Sequence, residues 1–301
     1  MTGLSSAPVI LLVGSNGQVG HELLQTLAPL GQVVATDRAT LDLRDEAAIR
    51  AAVRKARPAL IVNAAAYTAV DKAESEAELA HAINGRAPGV LAEEAAALGA
   101  WLVHYSTDYV FPGDKPQGSY REDEPTGPIN VYGASKLAGE QAVAASGARH
   151  LVLRTSWVYG AHGANFVKTI VRLARERERL TIIADQHGAP TSSRLIAEVT
   201  AQLAPRLLAG EAESGIYHLQ GAGEATWHEF AAAIVERLRQ LDPAGVRCGE
   251  IAPIPTSAYP TPARRPANSR LDCARLQQAF GLQLPHWRDD LALRIDGIIR
   301  G

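Results

Sequence analysis

The chain carries a tyrosine and a lysine four residues apart, Tyr132 and Lys136, whose side chains could act as an acid–base pair. Residues at this spacing share one face of a helix, with Cβ atoms about 5–6 Å apart. A neighbouring ammonium favours the phenolate and would lower the tyrosine pKa from about 10. The phenol could then protonate the oxygen of a carbonyl as hydride reaches its carbon. Because ordinary amphipathic helices also carry tyrosine and lysine at this spacing, the pair needs support from other motifs.

Three glycines, Gly14, Gly17 and Gly20, follow a short apolar run at the GxxGxxG spacing of a dinucleotide-binding loop. Gly14 permits a sharp exit from the strand, Gly17 lets a pyrophosphate approach the backbone, and Gly20 allows close helix–sheet packing. The helix N-terminus then offers free N–H groups and a partial positive charge. Because the loop stands at the first strand–helix junction, it predicts a nicotinamide dinucleotide site, with a plain turn as the alternative.

Asp37 and Arg38 close the second predicted strand, where the adenosine end of a dinucleotide would lie. An acidic residue here suits the ribose hydroxyls of NADH, whereas an arginine suits the 2′-phosphate of NADPH. The pair therefore leaves NADPH or NADH open as the cofactor. Asp37 could instead only open a turn. At the nicotinamide end, Lys136 could reach the ribose as well as the tyrosine.

Hydroxyl groups follow the fourth predicted strand at Ser106 and Thr107, with Asp108 next to them. Ligands of parallel sheets bind beyond the carboxyl ends of the strands. The Thr107 hydroxyl is therefore our candidate to hydrogen-bond a substrate carbonyl or to relay a proton. The alternative is that these residues only cap a turn, which is common for their side chains.

The segments that would position these residues are short apolar runs separated by helix-like segments. The runs are near-continuously apolar rather than alternating, which is typical of parallel strands covered on both faces. Helical patterns occupy 19–30, Glu46–Ala56, 75–98 and 130–145, the second capped by Asp45. This order predicts an α/β fold built on a doubly wound parallel (Rossmann) sheet. The predicted strands are Val9–Val13, Gln32–Thr36, Leu60–Asn63, 101–105 and 151–153.

Beyond residue 155 the alternation changes and predicts a smaller α/β substrate-binding domain. We expect residues 1–155 to form the dinucleotide-binding domain, with residues 184–210 packing back on it. Residues 156–183 and 211–301 would then form the substrate domain. A proline-rich stretch at 252–266 is expected to be an ordered loop, because helix-like segments follow it.

The chain has 301 residues, 47% of them hydrophobic and 21% charged, as in a globular protein with a sizeable core. Its net charge of −2 provides no basic surplus for nucleic acid, so no nucleic-acid partner is expected. No segment approaches the ~20 apolar residues of a membrane helix, so no membrane partner is expected. Cys248 and Cys273 form no paired motif, which suits a reducing compartment and favours the cytoplasm. The nine histidines show no metal-ligand spacing, and no metal is expected.

Taken together, the glycine loop, residues 62–71, residues 105–111 and the Tyr132–Lys136 pair resemble the extended short-chain dehydrogenase/reductases. Within that superfamily, three further stretches are most similar to the dTDP-4-dehydrorhamnose reductases. They are residues 154–159, 185–191 and 255–266, so the likeness covers nearly the whole chain. It implies reduction of the C4 ketone of dTDP-4-dehydro-β-L-rhamnose to dTDP-β-L-rhamnose by NAD(P)H, in the biosynthesis of that sugar donor.

The resemblance also implies roles for individual residues. Tyr132 would be the proton donor with Lys136 as its partner, and Thr107, Asp108 and Trp157 would contact the substrate. Two guanidiniums, Arg264 and Arg265, suit a nucleotide diphosphate on chemical grounds, with a surface ion pair as the alternative. The cofactor-binding set then comprises Gly14, Gly17, Gln18, Val19, Gly20, Asp37, Arg38, Asp42, Leu43, Ala65, Ala66, Tyr67, Tyr105, Tyr132 and Lys136.

The sequence departs from the family pattern at two places. Tyr67 stands where the family often has histidine, and Arg194 stands where we expect an acid. Some relatives are described as dimerising through magnesium, and Glu22 matches one of the ligands. Because a positive side chain cannot ligate Mg²⁺, we expect no metal here. A homodimer remains an expectation.

Two other functions are compatible with the same motifs. A nucleotide-sugar epimerase or dehydratase would share the cofactor fold, although Asp108-Tyr109 stands where a dehydratase often has Asp-Glu. A non-catalytic regulatory subunit would keep the fold and bind a partner protein. The intact Tyr132, Lys136 and Thr107 favour an enzyme.

Overall fold

The computed structural model describes residues 7–300, which form an α/β molecule around a parallel six-stranded sheet. Elements of the first half are β1 (Val9–Val13), α1 (Gln18–Leu27), β2 (Gln32–Thr36), α2 (Glu46–Ala56), β3 (Leu60–Asn63), α3 (Val70–Ala73), α4 (Ala77–His81), α5 (Ala87–Leu98), β4 (Trp101–Thr107), α6 (Val131–Ala145) and β5 (Arg149–Thr155). Those of the second half are β6 (Val158–Tyr159), α7 (Phe166–Glu176), β7 (Arg179–Ile183), β8 (His187–Gly188), β9 (Thr191–Ser192), α8 (Ser193–Ala209), β10 (Gly215–His218), β11 (Ala225–Thr226), α9 (Trp227–Leu241), β12 (Glu250–Ile254), α10 (Ala274–Phe280) and α11 (Trp287–Arg300).

The central sheet has the strand order β10-β5-β4-β3-β1-β2, and every neighbouring pair is parallel. The chain runs outward from β1 to β2 and then returns to β3 on the other side of β1. Ligands of such sheets bind at this reversal, outside the carboxyl ends of the strands. The predicted doubly wound sheet is confirmed.

Helices cover both faces of the sheet, which explains why its strands are almost continuously apolar. On one face α1 and α8 contribute Leu23 and Leu203 to a buried cluster that includes Leu12 of β1. On the other face α2 and α5 contribute Val53 and Leu91 to a second cluster. Helix α8 therefore belongs to the core of the first domain, although it follows β6–β9 in the chain.

Strand β10 departs from the predicted division, which placed residues 211–301 in the substrate domain. It pairs with β5 and forms an edge of the central sheet. Tyr217 and Leu219 accordingly lie in the core cluster on the α1–α8 face. The sequence of a four-residue strand does not show which sheet the strand joins, so this pairing depends on tertiary packing.

Two predicted local features are wrong. The proline-rich stretch, expected to be a loop from residue 252, begins as strand β12, which pairs in parallel with β7. Pro253 is compatible with this pairing because a two-stranded ladder leaves both strands at an edge. The segment 75–98, predicted as one helix, consists instead of α4, a π-helical turn at Ala82–Arg86 and α5.

A separate buried cluster lies in the later part of the chain, where α7, α9 and α11 contribute Val167, Phe230 and Ile295; we call the segments around it the second domain. Three pairs of short strands, β7–β12, β8–β11 and β6–β9, surround this core. None of the helices within residues 7–300 combines the length and apolar character needed to cross a membrane.

Candidate active site

The glycine loop after β1 packs directly against the loop after β3. Gly14 has φ +86°, a left-handed conformation that favours glycine, and a Cβ there would lie 2.6 Å from the Ala65 nitrogen. A Cβ at Gly20 would collide with the Gly14 carbonyl oxygen. Gly20 therefore allows α1 to pack against the Gly14 turn itself, which differs from the predicted helix–sheet contact.

The first turn of α1 has the chemistry of a phosphate site. Its N-cap is Gly17, which has no side chain to occupy the first N–H groups of the helix. A Cβ at Gly17 would have the Gly14 oxygen as its nearest neighbour at 3.4 Å, and Gly17 is exposed. A dinucleotide pyrophosphate fits this exposed helix N-terminus. Beside it, the Gln18 side chain accepts a hydrogen bond from Asn165, and Val19 packs on the core.

Asp37 at the end of β2 organises a turn, which is the alternative role given to it above. Its carboxylate accepts hydrogen bonds from the Ala39 and Thr40 backbone and from the Asn16 side chain in the glycine loop. Arg38 is exposed. The turn therefore joins the adenosine end of the predicted cofactor site to the phosphate end.

Asp42 and Leu43 were predicted to lie near the adenine. The Asp42 side chain is partly exposed, whereas Leu43 is buried. The Asp42 carboxylate binds the Arg44 guanidinium, whose hydrogen bonds lower the pKa of Asp42 to about 2. Leu43 packs in the buried cluster on the α2–α5 face.

Helix α6 places Tyr132 next to the end of β4. Its N-cap Asn130 accepts a hydrogen bond from the Gly133 backbone, and Gly133 contacts the Tyr109 carbonyl so closely that a Cβ would not fit. The Tyr132 ring meets the Tyr109 ring edge-on, with centroids 5.5 Å apart. The Thr107 hydroxyl is close enough to the Tyr132 phenol to oppose the rise of its pKa. The structure thus brings together the predicted proton donor and the predicted carbonyl-binding threonine.

Thr107 and Asp108 also form the capping interaction given above as their alternative role. The Thr107 hydroxyl donates to the Asp108 carboxylate over 3.0 Å and accepts from the Tyr109 backbone. Asp108 is 3% exposed, and burial raises its pKa to about 7, against the hydroxyls of Ser269 and Thr107. Near neutral pH, Asp108 can therefore hold or release a proton beside Tyr132.

The predicted lowering of the tyrosine pKa by lysine is wrong for this arrangement. Burial raises the pKa of Tyr132 to about 12, Asp108 adds to the rise, and the Thr107 hydrogen bond opposes it. The Lys136 ammonium donates instead to the Tyr105 carbonyl oxygen, 2.6 Å away. Burial also lowers the pKa of Lys136 to about 8, while the charge of Glu140 opposes this shift.

His104 is a residue of this site that sequence reasoning missed. Its ring lies 3.4 Å from the Lys136 ammonium on one side and 3.1 Å from the Asn63 amide on the other. Burial and the Lys136 charge hold the pKa of His104 well below its usual range, so the imidazole is neutral. The Asn63 side chain also accepts from the Ala65 backbone, which links Lys136 to the loop after β3. A histidine within an apolar strand gave no signal of this contact.

Asn84, in the π-helical turn, is the second residue missed. Its amide accepts from the Tyr67 backbone, donates to the Tyr67 carbonyl and donates to the Ser135 hydroxyl. Asn84 is fully buried, and Ser135 lies between Tyr132 and Lys136 on α6. The asparagine therefore joins the predicted cofactor loop Ala65-Ala66-Tyr67 to the helix that carries the acid–base pair. The Tyr67 phenol itself donates outward to Glu76.

Tyr105 was predicted to bind the cofactor, but its side chain points away from the site. Its phenol is hydrogen-bonded to Thr200 of α8 at 2.7 Å, inside the core. Burial raises the pKa of Tyr105. Only its carbonyl oxygen, which accepts from Lys136, faces the site.

The second domain contributes the remaining predicted residues. Trp157 follows β5 by two positions, and the last residue of β5, Thr155, pairs in register with Thr107. The Arg265 guanidinium pairs with Asp71 at 2.8 Å, as its alternative role proposed. Arg264 is exposed, and its carbonyl accepts from Asn130, the N-cap of α6. The proline-rich loop is thus fixed against the helix that carries Tyr132.

Arg194 stands where an acidic magnesium ligand of some relatives was expected. It forms ion pairs with Glu22 at 3.4 Å and with Glu198 at 2.7 Å. Across residues 7–300, no group of three or more His, Cys, Asp or Glu side chains is arranged to hold a metal ion.

Comparison with known proteins identifies the family of the chain. A family model described as RmlD substrate binding domain matches residues 8–299. A dTDP-4-dehydrorhamnose reductase of Burkholderia thailandensis is 50% identical over 295 residues, covering 96% of this chain and 99% of the relative.

Two crystal structures of dTDP-4-dehydrorhamnose reductases share the fold along the whole chain. That from Bacillus anthracis, in complex with NADP, has a TM-score of 0.86 and 36% identity, with 96% of this chain and 99% of that chain covered. That from Clostridium acetobutylicum has a TM-score of 0.88 and 34% identity, with 96% and 98% covered. The chain therefore belongs to the dTDP-4-dehydrorhamnose reductase family.

Proposed function

We propose that this protein reduces the C4 ketone of dTDP-4-dehydro-β-L-rhamnose to dTDP-β-L-rhamnose, for dTDP-rhamnose biosynthesis. The observation that carries the proposal is the proximity of the Thr107 hydroxyl to the Tyr132 phenol at the end of β4, where it affects the Tyr132 pKa, in a chain 50% identical to a relative of that name. The substrate is a dTDP-linked sugar, and the cofactor is NADPH or NADH.

A reduced dinucleotide supplies the hydride when it is bound. Its pyrophosphate would lie on the first turn of α1 at Gly17, and its adenosine ribose near Asp37 and Arg38. The loop at Ala65 and Ala66 would line the path between these two ends and the acid–base pair. The relative from Bacillus anthracis was crystallised with NADP, which supports this choice of cofactor class.

Tyr132 provides the proton. Because burial raises its pKa to about 12, the phenol is protonated at neutral pH and can donate to an oxygen as negative charge develops there. The Thr107 hydroxyl donates to Asp108 in this structure, and by turning away from that carboxylate it can donate to the same carbonyl oxygen. Asp108 beside it can exchange protons near pH 7. Lys136, on the same helix, donates to the Tyr105 carbonyl oxygen and could bind the nicotinamide ribose of the cofactor.

The test is turnover of dTDP-4-dehydro-β-L-rhamnose with NADPH and NADH by wild type and Tyr132→Phe. Removing a positioned proton donor should lower kcat by ~10²-fold or more. Tyr217→Phe removes a phenol at the far edge of the sheet, where its hydroxyl donates to Glu213, and should retain activity. Wild-type turnover in Tyr132→Phe would remove Tyr132 from the mechanism. A wild-type protein that binds dinucleotide without turnover would favour a regulatory subunit.

We also propose a homodimer and the cytoplasm as the setting of this reaction. Free thiols at Cys248 and Cys273 are compatible with a reducing compartment. Light scattering on the purified protein would measure the mass of the assembly, and a mass of one chain would contradict the dimer.

A further inference from the structure

Two indole rings, Trp157 and Trp227, stack face to face in the second domain. Their centroids are 3.7 Å apart and their planes are 14° from parallel. Trp157 has φ +47°, in the left-handed region that bulky side chains rarely adopt. Such a conformation is strained and persists only where the surroundings hold it.

Trp227 is itself held in place at the start of α9. Its helix begins with a capping box formed by Thr226 and Glu229. Its indole N–H donates to the Gln186 side chain at 3.1 Å, and Gln186 donates in turn to Thr256. Gln186 is 4% exposed, so this arrangement is buried and has few alternatives. Trp227 can therefore act as a fixed support for the ring stacked on it.

Gly188 supports the same indole from another side. It lies in β8, opposite Ala225 of β11, and a Cβ at Gly188 would lie 2.7 Å from the Trp157 ring. Glycine is therefore required here for space. The pairing of β8 with β11 places Gly188 opposite Ala225, two residues before Trp227, so both supports of Trp157 lie in or next to one small sheet.

The stacked pair stands at the end of the sheet where the proposed chemistry takes place. Trp157 follows Thr155, whose register partner on β4 is Thr107. Sugar rings present C–H groups that pack against aromatic faces, and a rigid aromatic side chain loses little entropy on binding. A Trp157 ring fixed in advance would bind a sugar more tightly than a mobile one.

We infer that Trp227 is a positioning residue that holds Trp157 as a rigid aromatic wall for the sugar of the substrate. This inference rests on the proposed function and names a residue that acts through Trp157 rather than on the substrate itself. The aromatic wall, defined as Trp157 backed by Trp227, sets affinity for the nucleotide sugar and leaves cofactor binding to the first domain.

The experiment compares Trp227→Leu, Trp227→Phe and Gly188→Ala in the full-length protein. In Trp227→Leu we expect KM for the nucleotide sugar to rise about tenfold, with kcat and the Kd for NADPH within twofold of wild type. Trp227→Phe should recover part of this loss because it restores a ring. Gly188→Ala should raise KM without changing Trp227, because its methyl group displaces the indole.

Circular dichroism supplies an independent readout, since two stacked indoles give an exciton couplet in the far ultraviolet. The couplet should disappear in both Trp227 variants and persist in Trp101→Phe, which removes a tryptophan at the opposite end of β4. Loss of the couplet with an unchanged KM would overturn the inference. A fall in kcat and in NADPH affinity that accompanies the rise in KM would also overturn it, because Trp227 would then only support the fold.

These outcomes can be separated from failure of the proposed function. If the wild type does not turn over the 4-keto sugar, titration calorimetry with dTDP-β-L-rhamnose still compares the variants by Kd. A higher Kd for dTDP-β-L-rhamnose in Trp227→Leu, with the fold intact, would support the inferred aromatic wall. A Kd equal to that of wild type would overturn the inference.

Discussion

At the scale of single residues, burial decides which groups at the end of β4 carry protons. Asp108 and Tyr132 both have raised pKa values, about 7 and about 12. Both groups are more readily protonated than in water because the site disfavours their charged forms. The effect suits a site that delivers a proton, and it also makes the stability of the protein depend on pH.

Asp108→Asn should reduce the pH dependence of stability between about pH 4 and pH 7. The unfolded carboxyl loses its proton near its ordinary pKa of 3.8, whereas the folded one keeps it to about 7. The free energy of unfolding therefore falls as pH rises through this window, by at most about 1.4 kcal/mol per pH unit. Urea unfolding from pH 4 to pH 8 would measure the slope. Asp123→Asn, at an exposed carboxyl, is the control, and an unaltered slope in Asp108→Asn would contradict the argument.

Arg38→Gln should weaken binding of NADPH but not of NADH. The guanidinium is exposed beside Asp37, where it can pair with a 2′-phosphate, and charge-assisted hydrogen bonds contribute about 1.5–3 kcal/mol. We expect the KM for NADPH to rise at least about tenfold. Steady-state kinetics with both cofactors would show the difference, with Arg177→Gln, an exposed arginine in the second domain, as control. Equal increases in KM for NADPH and for NADH would show that Arg38 does not discriminate between the two cofactors.

At the scale of elements, three segments meet around Asn84: the loop after β3, the π-helical turn and α6. A regular α-helix over 75–98 would not supply this turn, and π-helical turns within helices often accompany functional sites. The turn places one amide where it can satisfy two backbone groups of Tyr67 and the Ser135 hydroxyl. The geometry of the cofactor loop is thus coupled to that of the acid–base pair.

Asn84→Ala should lower both stability and cofactor affinity. The substitution leaves partly buried Tyr67 backbone groups without partners, at a cost of up to about 1–3 kcal/mol for each. We expect the free energy of unfolding to fall by about 2 kcal/mol or more and the Kd for NADPH to rise several-fold. Urea unfolding and a fluorescence titration would measure these changes, with exposed Arg86→Ala in the same turn as control. Normal cofactor affinity in Asn84→Ala would show that the loop keeps its shape without this network.

At the scale of the whole molecule, the two domains are joined by ion pairs across α1, α8 and α11. Glu198 of α8 pairs with Arg194 at 2.7 Å and with Arg294 of α11 at 2.9 Å, and Arg194 also reaches Glu22 of α1. Glu198 and Arg294 are each about one third exposed in their side chains, so water screens their attraction.

Glu198→Gln should therefore destabilise the protein only slightly, by about 0.5–1 kcal/mol, and less in high salt. Urea unfolding at low salt and at 1 M NaCl, each against wild type, would measure this difference. Glu236→Gln on the exposed side of α9 serves as the control for loss of a carboxylate. A separate second unfolding transition in Glu198→Gln would instead show that the ion pairs, and not the buried packing, hold the domains together.

The sequence by itself determined the doubly wound sheet and most element boundaries, and it predicted that Tyr132 and Thr107 lie at the same end of the sheet. Near-continuous apolar strands must be buried on both faces, and the carboxyl ends of parallel strands meet at one edge, so local patterns were sufficient. The cap of α2 at Asp45 and the strand Leu60–Asn63 were read from neighbouring residues alone.

Only the tertiary structure decided the partners of single side chains and of short strands. The placement of β10 in the first sheet, the His104–Lys136 contact and the Trp157–Trp227 stack join residues distant in the sequence. The direction of the Tyr132 pKa shift was decided in the same way, because desolvation depends on all the atoms packed around a group. Periodicity shows which face of an element is buried, but it does not show what packs against that face.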